Sequence, residues 1–412
     1  MARAARERSE QERESPPRGA KGSHLFADAL SHGGPAHTGA SRVVPAVRAA
    51  LLSDPLSPLE LVDDVDLADP RPGEVCVAVS HSGICHSDLT IIEGGYMFPA
   101  VLGHEAAGMV VGVGEAVSHV SEGDKVMITP LAPCGHCDGC ARQQASRCAQ
   151  AMSFVAGTRP DASSPLSRRG RLVHRGLGVG AFAEHTVVPA SGVVRLDDDV
   201  PLEVACLIGC AVQTGVGAVL NTASVERGAT VVVTGLGGVG ISAVQGARIA
   251  GASRIIASDP VESRRQAALR LGATDAVGAD PAELKAAVAE ATGGRGADYA
   301  FETAGVAGLA SLGVEITGPG GTTVVVGAPP PEHTTNIGST TVFMIQQKRL
   351  VGSLLGDCWP SRDIPLLIAL WQRGDLDLES MISHRVPLSG VNEGFDRLRA
   401  AQGLRTVVEV AP

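Results

Sequence analysis

The sequence contains few aromatic residues and no long basic run. Phe, Trp and Tyr make up 3% of its 412 residues, and the formal net charge is −10. Nucleic-acid binding normally relies on clustered Lys and Arg, often with aromatic side chains between them, so we expect no nucleic-acid partner. No internal repeat at a fixed period is present either, which argues against a solenoid or a propeller.

Signals for membranes and secretion are also missing. We find no apolar stretch of about 18 residues that would span a bilayer. The first residues, MARAARERSEQERESPPRGAKGSH, lack the apolar run of a signal peptide. We therefore expect a cytoplasmic protein that does not contact a membrane. Residues 1–42 are polar and rich in Pro, Gly and Ser, which predicts a disordered N-terminal extension.

The sequence does contain a dense cysteine cluster, CGHCDGCARQQASRC, at residues 134–148. In a reducing compartment, thiols at this spacing are more often metal ligands than disulfides. Four thiolates leave no open position on the ion, so we predict a structural zinc site. An iron–sulfur cluster, which also takes four thiolates, is the alternative. The predicted ligands are Cys134, Cys137, Cys140 and Cys148.

Residues 230–259, TVVVTGLGGVGISAVQGARIAGASRIIASD, indicate a dinucleotide-binding unit. A β-branched strand is followed by G-x-G-x-x-G, a helical stretch and a second strand that ends in an acidic residue. Gly235 permits the tight turn, Gly237 lets the backbone approach a diphosphate, and Gly240 packs helix against strand. The diphosphate is expected at the N-terminus of the helix.

Asp259 ends the second strand and determines the expected cofactor. Its carboxylate is placed to accept hydrogen bonds from the ribose hydroxyls and to repel a 2′-phosphate, which favours NAD over NADP. A basic neighbour such as Arg264 softens that preference, because it could accept the phosphate. Later strand-like runs alternate with helical stretches. We therefore predict an α/β fold whose Rossmann domain, with a doubly wound parallel sheet, spans residues 212–354.

Several further motifs follow one another in a fixed order: GICHSD, GHEAAG, CLIGC, GLGGVG, VNEGFD and LRTVVEV. Together with the cysteine cluster, this series resembles the zinc-dependent medium-chain alcohol dehydrogenases, closest to the class III-like long-chain type with a catalytic and a structural zinc. The resemblance covers about residues 43–410. It implies a GroES-like, β-rich catalytic domain at residues 43–211, to which the final segment, residues 355–412, returns. It also implies a homodimer joined through the coenzyme domains, with a tetramer as the alternative.

The resemblance implies a catalytic zinc held by Cys85, His104 and Cys210. Glu105 matches a carboxylate beside the metal, and Asp88 matches one that hydrogen-bonds the ligating histidine. Two thiolates and a neutral imidazole balance the charge of Zn²⁺ and leave a fourth position open. An alcohol at that position would be acidified and would pass a hydride to the nicotinamide of NAD.

The resemblance also assigns a proton acceptor and the remaining cofactor contacts. Ser87 matches the hydroxyl residue that takes the proton of the substrate. His86 and Arg405 match residues at the diphosphate, while backbone groups at Val326 and Ala328 match those that hold the nicotinamide carboxamide. In addition to the glycine loop, Asp259 and Arg264, the predicted cofactor contacts are His86, Thr214, Gly238, Val239, Val326, Ala328 and Arg405.

Two departures from the family bear on the substrate. Thr90 stands where many relatives end the proton relay with a histidine, and Met152 stands where members that act on a glutathione–formaldehyde adduct have a basic residue. We therefore expect an uncharged primary alcohol or its aldehyde. Three alternatives stay open: a thiol-adduct formaldehyde dehydrogenase, an enzyme that recycles tightly bound NAD, and, more remotely, a non-catalytic nucleotide-binding protein.

Overall fold

The computed structural model describes residues 46–330 and 332–411, without the side chains of Met152 and Phe154. The predicted extension, residues 1–42, lies outside the described residues. In chain order the strands are β1 (Val47–Leu52), β2 (Glu60–Leu67), β3 (Glu74–Gly83), β4 (Ala100–Val101), β5 (Glu105–Val113), β6 (Lys125–Ile128), β7 (Leu166–Arg168), β8 (Arg171–Arg175), β9 (His185–Pro189), β10 (Val193–Arg195), β11 (Thr230–Thr234), β12 (Arg254–Ser258), β13 (Asp275–Val277), β14 (Ala297–Glu302), β15 (Thr317–Val325), β16 (Arg349–Gly352), β17 (Ile382–Pro387) and β18 (Arg405–Glu409).

The α-helices connect these strands and are joined to them by short 3₁₀ turns and loops. They are α1 (His86–Gly94), α2 (Asp138–Ala141), α3 (Met152–Ala156), α4 (Leu202–Leu207), α5 (Gln213–Gly217), α6 (Gly238–Ala250), α7 (Glu262–Leu271), α8 (Pro281–Thr292), α9 (Leu309–Ile316), α10 (Thr340–Ile345), α11 (Pro360–Gln372) and α12 (Val391–Arg399).

A closed barrel and a mixed sheet form the first half of the fold. β1, β2, β7, β8 and β4 close the barrel in that order, and the sheet runs β10-β6-β5-β3-β18-β17, with β9 also paired to β3. β18 comes from the end of the chain and pairs antiparallel with β3. In the same segment, Phe395 of α12 packs edge-to-face on Phe182, with ring centroids 6.0 Å apart. The end of the chain therefore completes the sheet that β3 begins.

The second half contains a six-stranded sheet, ordered β13-β12-β11-β14-β15-β16, in which every neighbouring pair is parallel. Numbered along the chain this order is 3-2-1-4-5-6, the Rossmann arrangement. All of β11 is buried, as expected for a β-branched run covered on both faces of a parallel sheet. The predicted α/β class and doubly wound parallel sheet are confirmed.

One helical run contradicts a prediction from the sequence. Leu202–Thr222 is long and apolar enough to span a membrane, whereas we predicted no apolar stretch of that length from the sequence. Most of the run is buried inside the protein, within the same apolar cluster as β11. A helix surrounded by core on most sides needs apolar residues all round, which explains its composition. The run is continuous across the predicted domain boundary between residues 211 and 212.

A buried ion pair fixes the start of β3. Arg159 donates from Nε and Nη2 to the two carboxylate oxygens of Glu74, both at 2.7 Å, and both side chains are buried. Burial by itself raises the pKa of Glu74, but the hydrogen bonds from Arg159 and from the Arg71 backbone lower it below its ordinary value of 4.5. The pair therefore stabilises the fold above about pH 4.5, and this contribution is lost as the pH falls through the lower, folded-state pKa.

We expect Arg159→Met to reduce the free energy of unfolding by about 3–5 kcal/mol near pH 7, because it leaves a buried carboxylate without its partner. The loss should shrink below pH 4.5, where Glu74 is protonated on unfolding. Urea unfolding near pH 7 and again below pH 4.5 measures the free energy of unfolding of each variant. Arg195→Met, which removes an exposed arginine paired with Asp124, is the control and should change the stability by less than about 1 kcal/mol. Equal losses in both variants would contradict the prediction.

Candidate functional site

The pairing of β3 with β5 brings two of the predicted catalytic ligands together. Gly83 lies opposite Glu105, so Cys85, just after β3, comes next to His104, just before β5. The approach is close: a Cβ atom on Gly83 would clash with Oε2 of Glu105. Sequence spacing alone does not show this proximity, because it depends on strand register.

Cys210 reaches the same place from the long helical run. It lies in a π-helical turn, Ile208–Val212, a local irregularity that is common at functional sites. Gln213, in the next turn, donates from Nε2 to Oγ1 of Thr129 at 2.6 Å and so ties the helix to the end of β6. The ligand atoms of Cys85, His104, Glu105 and Cys210 all lie within 4.8 Å of one another, and all four residues are buried.

Asp88 sets the orientation of His104. Its Oδ1 lies 3.1 Å from Nδ1 of His104 and also accepts the backbone N–H of Gly103 at 3.0 Å. Nδ1 therefore carries the proton, and Nε2 is left as an acceptor. Nε2 is buried and has no hydrogen-bond partner among the described residues. A buried imidazole nitrogen without a partner, facing two sulfurs, fits a zinc ion with one position open.

A buried ion pair lies directly behind this cluster. Nη2 of Arg405 is 3.1 Å from Oε1 of Glu105, and both side chains are buried. Burial raises the pKa of Glu105 to about 7, although Arg405 opposes that rise. A hydrogen bond with Cys210 lowers the pKa of Cys85 well below that of an ordinary thiol, and the positive charge of Arg405 acts in the same direction. The surroundings therefore favour a thiolate at Cys85, the form that binds metal.

The four-cysteine lobe also has the geometry of a metal site. Its sulfurs lie within 4.8 Å of one another, and Sγ of Cys140 is 3.8 Å from that of Cys134 and 3.6 Å from that of Cys137. Tetrahedral zinc with bonds of about 2.3 Å places sulfurs about 3.8 Å apart, so the spacing fits zinc and is far too long for a disulfide. Backbone N–H groups of Gly135 and Ala149 donate to Cys140 and Cys137; the hydrogen bond from Ala149 lowers the pKa of Cys137, whereas burial outweighs that from Gly135 and raises the pKa of Cys140.

The glycine loop after β11 has the shape expected for a diphosphate cradle. Gly235 has φ = 87°, which an L side chain rarely adopts, and a Cβ atom on Gly240 would clash with the carbonyl oxygen of Gly235. In contrast, a Cβ atom on Gly237 would meet nothing within 4 Å. The free space beside Gly237, at the N-terminus of α6, fits a bound diphosphate.

Asp259 lies beside the same loop, but its carboxylate is already engaged. Its oxygens accept the backbone N–H groups of Leu236 at 2.7 Å and Val261 at 2.8 Å. Each oxygen retains a second lone pair for a ribose hydroxyl. Arg264 lies 4.0 Å away, close enough to neutralise part of the charge that would repel a 2′-phosphate.

Arg405 links the two predicted sites. A Cβ atom on Gly238 would clash with its Nε, so the guanidinium lies against the first turn of α6 while it also pairs with Glu105. Thr214 follows the predicted ligand Cys210 by four residues, and its buried Oγ1 has no hydrogen-bond partner among the described residues. Both groups fit a cofactor between the glycine loop and the cysteine–histidine cluster.

The remaining predicted residues make fewer contacts that bear on their predicted roles. Oγ of Ser87 lies 3.8 Å from Sγ of Cys85, whereas the His86 side chain is exposed. Val326 donates its backbone N–H to the Glu302 carbonyl, which leaves its own carbonyl for a ligand. The structure shows no protein contact that assigns a role to Ala328, which is exposed, or to Val239, which is half-buried.

Three apolar residues that the sequence did not single out border the catalytic cluster. Leu131, Leu355 and Trp359 pack in one group with Cys85 and Cys210. They come from distant parts of the chain, and only the rarity of tryptophan in this sequence could have drawn attention to one of them.

Comparison with known proteins agrees with this fold, which is that of the zinc-binding dehydrogenases. Residues 71–198 match the GroES-like domain of alcohol dehydrogenases, and residues 238–373 match the zinc-binding dehydrogenase family. An NDMA-dependent alcohol dehydrogenase of Amycolatopsis methanolica is 38% identical over 365 residues, covering 88% of this chain and 98% of that protein. The chain therefore belongs to the zinc-dependent medium-chain alcohol dehydrogenases, as the sequence motifs predicted, and is an oxidoreductase.

Solved structures support the same assignment. An alcohol dehydrogenase zinc-binding domain protein from Burkholderia ambifaria is 33% identical, with a TM-score of 0.84, and the match covers 89% of this chain and 99% of that one. A benzyl alcohol dehydrogenase from Acinetobacter calcoaceticus is 29% identical, with a TM-score of 0.84, covering 89% and 100%. The predicted GroES-like domain is confirmed together with the family.

We expect Gly237→Ala to weaken dinucleotide binding by about tenfold or more, because the added methyl group would occupy the space that the backbone leaves for the diphosphate. Without cofactor its thermal stability should be unchanged, since that Cβ meets no protein atom within 4 Å. Calorimetric titration with NAD and thermal melting check both points. Gly352→Ala, also at an open position but in β16, is the matched control and should bind NAD normally. Normal NAD affinity in Gly237→Ala would contradict the assignment of the loop.

Proposed function

We propose that this protein is a zinc- and NAD-dependent alcohol dehydrogenase that oxidises a primary alcohol or reduces the matching aldehyde. The observation that carries the proposal is the buried cluster of Cys85, His104 and Cys210, which Arg405 connects to the first turn of α6. Bound at these residues, zinc would supply a Lewis acid and NAD a hydride acceptor. The overall reaction converts RCH₂OH and NAD⁺ to RCHO, NADH and a proton.

The residues around the cluster prepare it for this chemistry. Asp88 holds the Nδ1 proton of His104 and so keeps Nε2 available as a ligand. Two thiolates and a neutral imidazole carry a total charge of −2, which balances Zn²⁺ and leaves it electrophilic. Cys85 and Cys210 are therefore expected to be ionised in the loaded enzyme.

Ser87 is the proposed first acceptor of the substrate's proton, because its hydroxyl lies beside the ligand Cys85. Beyond it, Thr90 is exposed and donates its hydroxyl to the His86 carbonyl at 3.0 Å. A threonine cannot act as a base near neutral pH, so the proton is expected to leave through the cofactor ribose and water rather than through a side chain at this position.

The second proposed zinc has a structural role. All four ligands of the 134–148 lobe are thiolates, so this ion would have no open position for a substrate. It would instead fix a loop that contains only short helical turns, α2 among them. Metal analysis distinguishes zinc from the iron–sulfur alternative.

The proposed cofactor is NAD rather than NADP, and the proposed assembly is a cytoplasmic homodimer. Asp259 beside the loop supports the first point, with Arg264 as a moderating neighbour. The second is supported by the edge strand β16 and by the exposed apolar side chains of Val342, Met344 and Ile345 in α10 just before it. An open strand edge with apolar neighbours is the kind of surface that a second copy would cover.

A second candidate is an enzyme that keeps its NAD bound and reoxidises it with another acceptor. The relative named as NDMA-dependent favours this reading. The two candidates share the same cluster and loop, and they differ in whether NAD exchanges during turnover.

The purified protein should contain two zinc ions per chain and should form NADH from primary alcohols when NAD, but not NADP, is added. Cys210→Ser should lose nearly all of this activity and one zinc, because it removes a ligand of the open site. Cys148→Ser, the matched change in the closed site, should also lose one zinc but act mainly by lowering thermal stability. Metal analysis and absorbance of NADH on the same samples measure these effects.

Turnover with NDMA but without added NAD, together with nucleotide released on denaturation, would identify the second candidate instead. Iron in place of zinc would overturn the metal assignment. Full activity in Cys210→Ser would overturn the proposed function.

A further inference from the structure

A pocket of about 670 Å³ lies next to the catalytic cluster. Cys85, His104 and Cys210 do not line it among the described residues, but Leu131 and Trp359 do, and both also pack against that cluster. The pocket therefore shares a wall with the catalytic cluster. A substrate whose hydroxyl group reached the cluster could extend into this space.

The floor of the pocket contains two buried arginines and one carboxylate: Arg159, Arg175 and Glu74. Arg159 uses its guanidinium to bind both oxygens of Glu74. This pair is electrically neutral as a unit. Glu74 also attracts Arg175, but both of its oxygens are hydrogen-bonded by Arg159, so among the described residues no carboxylate is bound directly to the guanidinium of Arg175.

Arg175 is 2% exposed, yet it has few partners. Its Nη1 donates to the carbonyl oxygen of Val187 at 2.7 Å, and its Nε is buried without a hydrogen-bond partner. Among the described residues, no carboxylate oxygen lies within 4.0 Å of its guanidinium. Burial lowers the pKa of Arg175 to about 10, so the group is still a cation at neutral pH. A buried cation beside a cavity, with an unused donor, requires a counter-charge.

The other titratable side chains that line the pocket do not supply that charge. Nε2 of His119 lies 3.1 Å from the Ala190 carbonyl and 3.2 Å from the Val193 carbonyl, so it carries a proton that is already donated. Cys134 belongs to the four-cysteine lobe. With the Glu74–Arg159 pair neutral, the lining carries one net positive charge, and a planar guanidinium is well suited to a carboxylate.

The distance from Arg175 to the catalytic cluster suits a short substrate. Arg175 ends β8 opposite Val101 of β4, and His104 follows three residues later. Neighbouring strands are about 4.8 Å apart and a residue spans at most about 3.6 Å, so the backbones of Arg175 and His104 are within about 16 Å. A chain of several carbons could place a hydroxyl group at one end and an anion at the other.

We propose that Arg175 forms an anion subsite in this pocket that binds the carboxylate of the substrate, so that the preferred alcohols are ω-hydroxy acids. This inference rests on the proposed function, and it changes the uncharged substrate that the sequence predicts. The terminal CH₂OH group loses a hydride to NAD⁺ and a proton to solvent and becomes an aldehyde, while the carboxylate takes no part in the reaction.

The test compares 6-hydroxyhexanoate with hexan-1-ol in the zinc-loaded enzyme, together with shorter and longer pairs from 4-hydroxybutanoate to 10-hydroxydecanoate. At the best length, kcat/KM for the acid should exceed that for the neutral alcohol by about tenfold or more. Arg175→Gln should raise KM for the acid by a similar factor and leave hexan-1-ol within about twofold. Arg175→Lys, which keeps the charge, should restore part of the preference. Arg195→Gln, a change at an exposed arginine, should alter neither substrate.

Competition in the unmodified enzyme gives an answer even if the Arg175 variants do not fold. Hexanoate should compete with hexan-1-ol at concentrations at which hexanamide does not, and sodium chloride or phosphate at equal ionic strength should not reproduce the effect. Equal inhibition by hexanoate and hexanamide, the absence of any preference for hydroxy acids, or equal losses on both substrates in Arg175→Gln would overturn the subsite. If hexan-1-ol reduces NAD in such a case, the proposed function stands; if neither substrate reduces NAD, both proposals fail.

Discussion

The structure depends on the antiparallel register of β3 with β5. This register places Gly83 opposite Glu105 and thereby sets Cys85 beside His104, within reach of the buried π-helical turn that carries Cys210. A shift by one residue would move every side chain of a strand to the other face of the sheet. The cluster would then be lost even though all its residues were present. The absence of a side chain at Gly83 lets the two strands carry a buried carboxylate at this point.

Electrostatic interactions explain why several charged groups lie in the interior of the protein. With both cysteines ionised and His104 neutral, the cysteine–histidine cluster carries a charge of −2, which a divalent ion would balance, and Glu105 and Arg405 lie behind it as a pair. Arg405 also lies against the first turn of α6, so its one guanidinium faces both the cluster and the expected diphosphate. The proposed metal and cofactor would therefore be linked through a single buried cation. Such an arrangement favours simultaneous occupation of both sites, because each bound group offsets a charge that burial makes costly.

The parts of this architecture that depend on local sequence could be predicted, while those that depend on register and packing could not. The strand–glycine–helix order at residues 230–259 identified the Rossmann unit, and the spacing of the four cysteines identified the lobe. In contrast, the contact of Arg405 with Gly238 joins residues far apart in the chain, and no local pattern indicates it. The apolar composition of Leu202–Thr222 is itself a local feature that the sequence contains, whereas its burial depends on the surrounding elements.

A comparison of two buried arginines, Arg405 and Arg175, shows why one of them points to a ligand beyond the proposed metal and cofactor. Arg405 has a carboxylate at 3.1 Å and a backbone carbonyl at 2.9 Å, and a diphosphate is expected beside it. Arg175 is buried as completely, but Glu74, the carboxylate whose charge acts on it, is held on both oxygens by Arg159. Burying a guanidinium is costly unless a partner compensates for its lost hydration. For Arg405 the fold and the cofactor provide that compensation. For Arg175 the fold provides one carbonyl and an adjoining cavity, so the missing partner has to enter with the substrate.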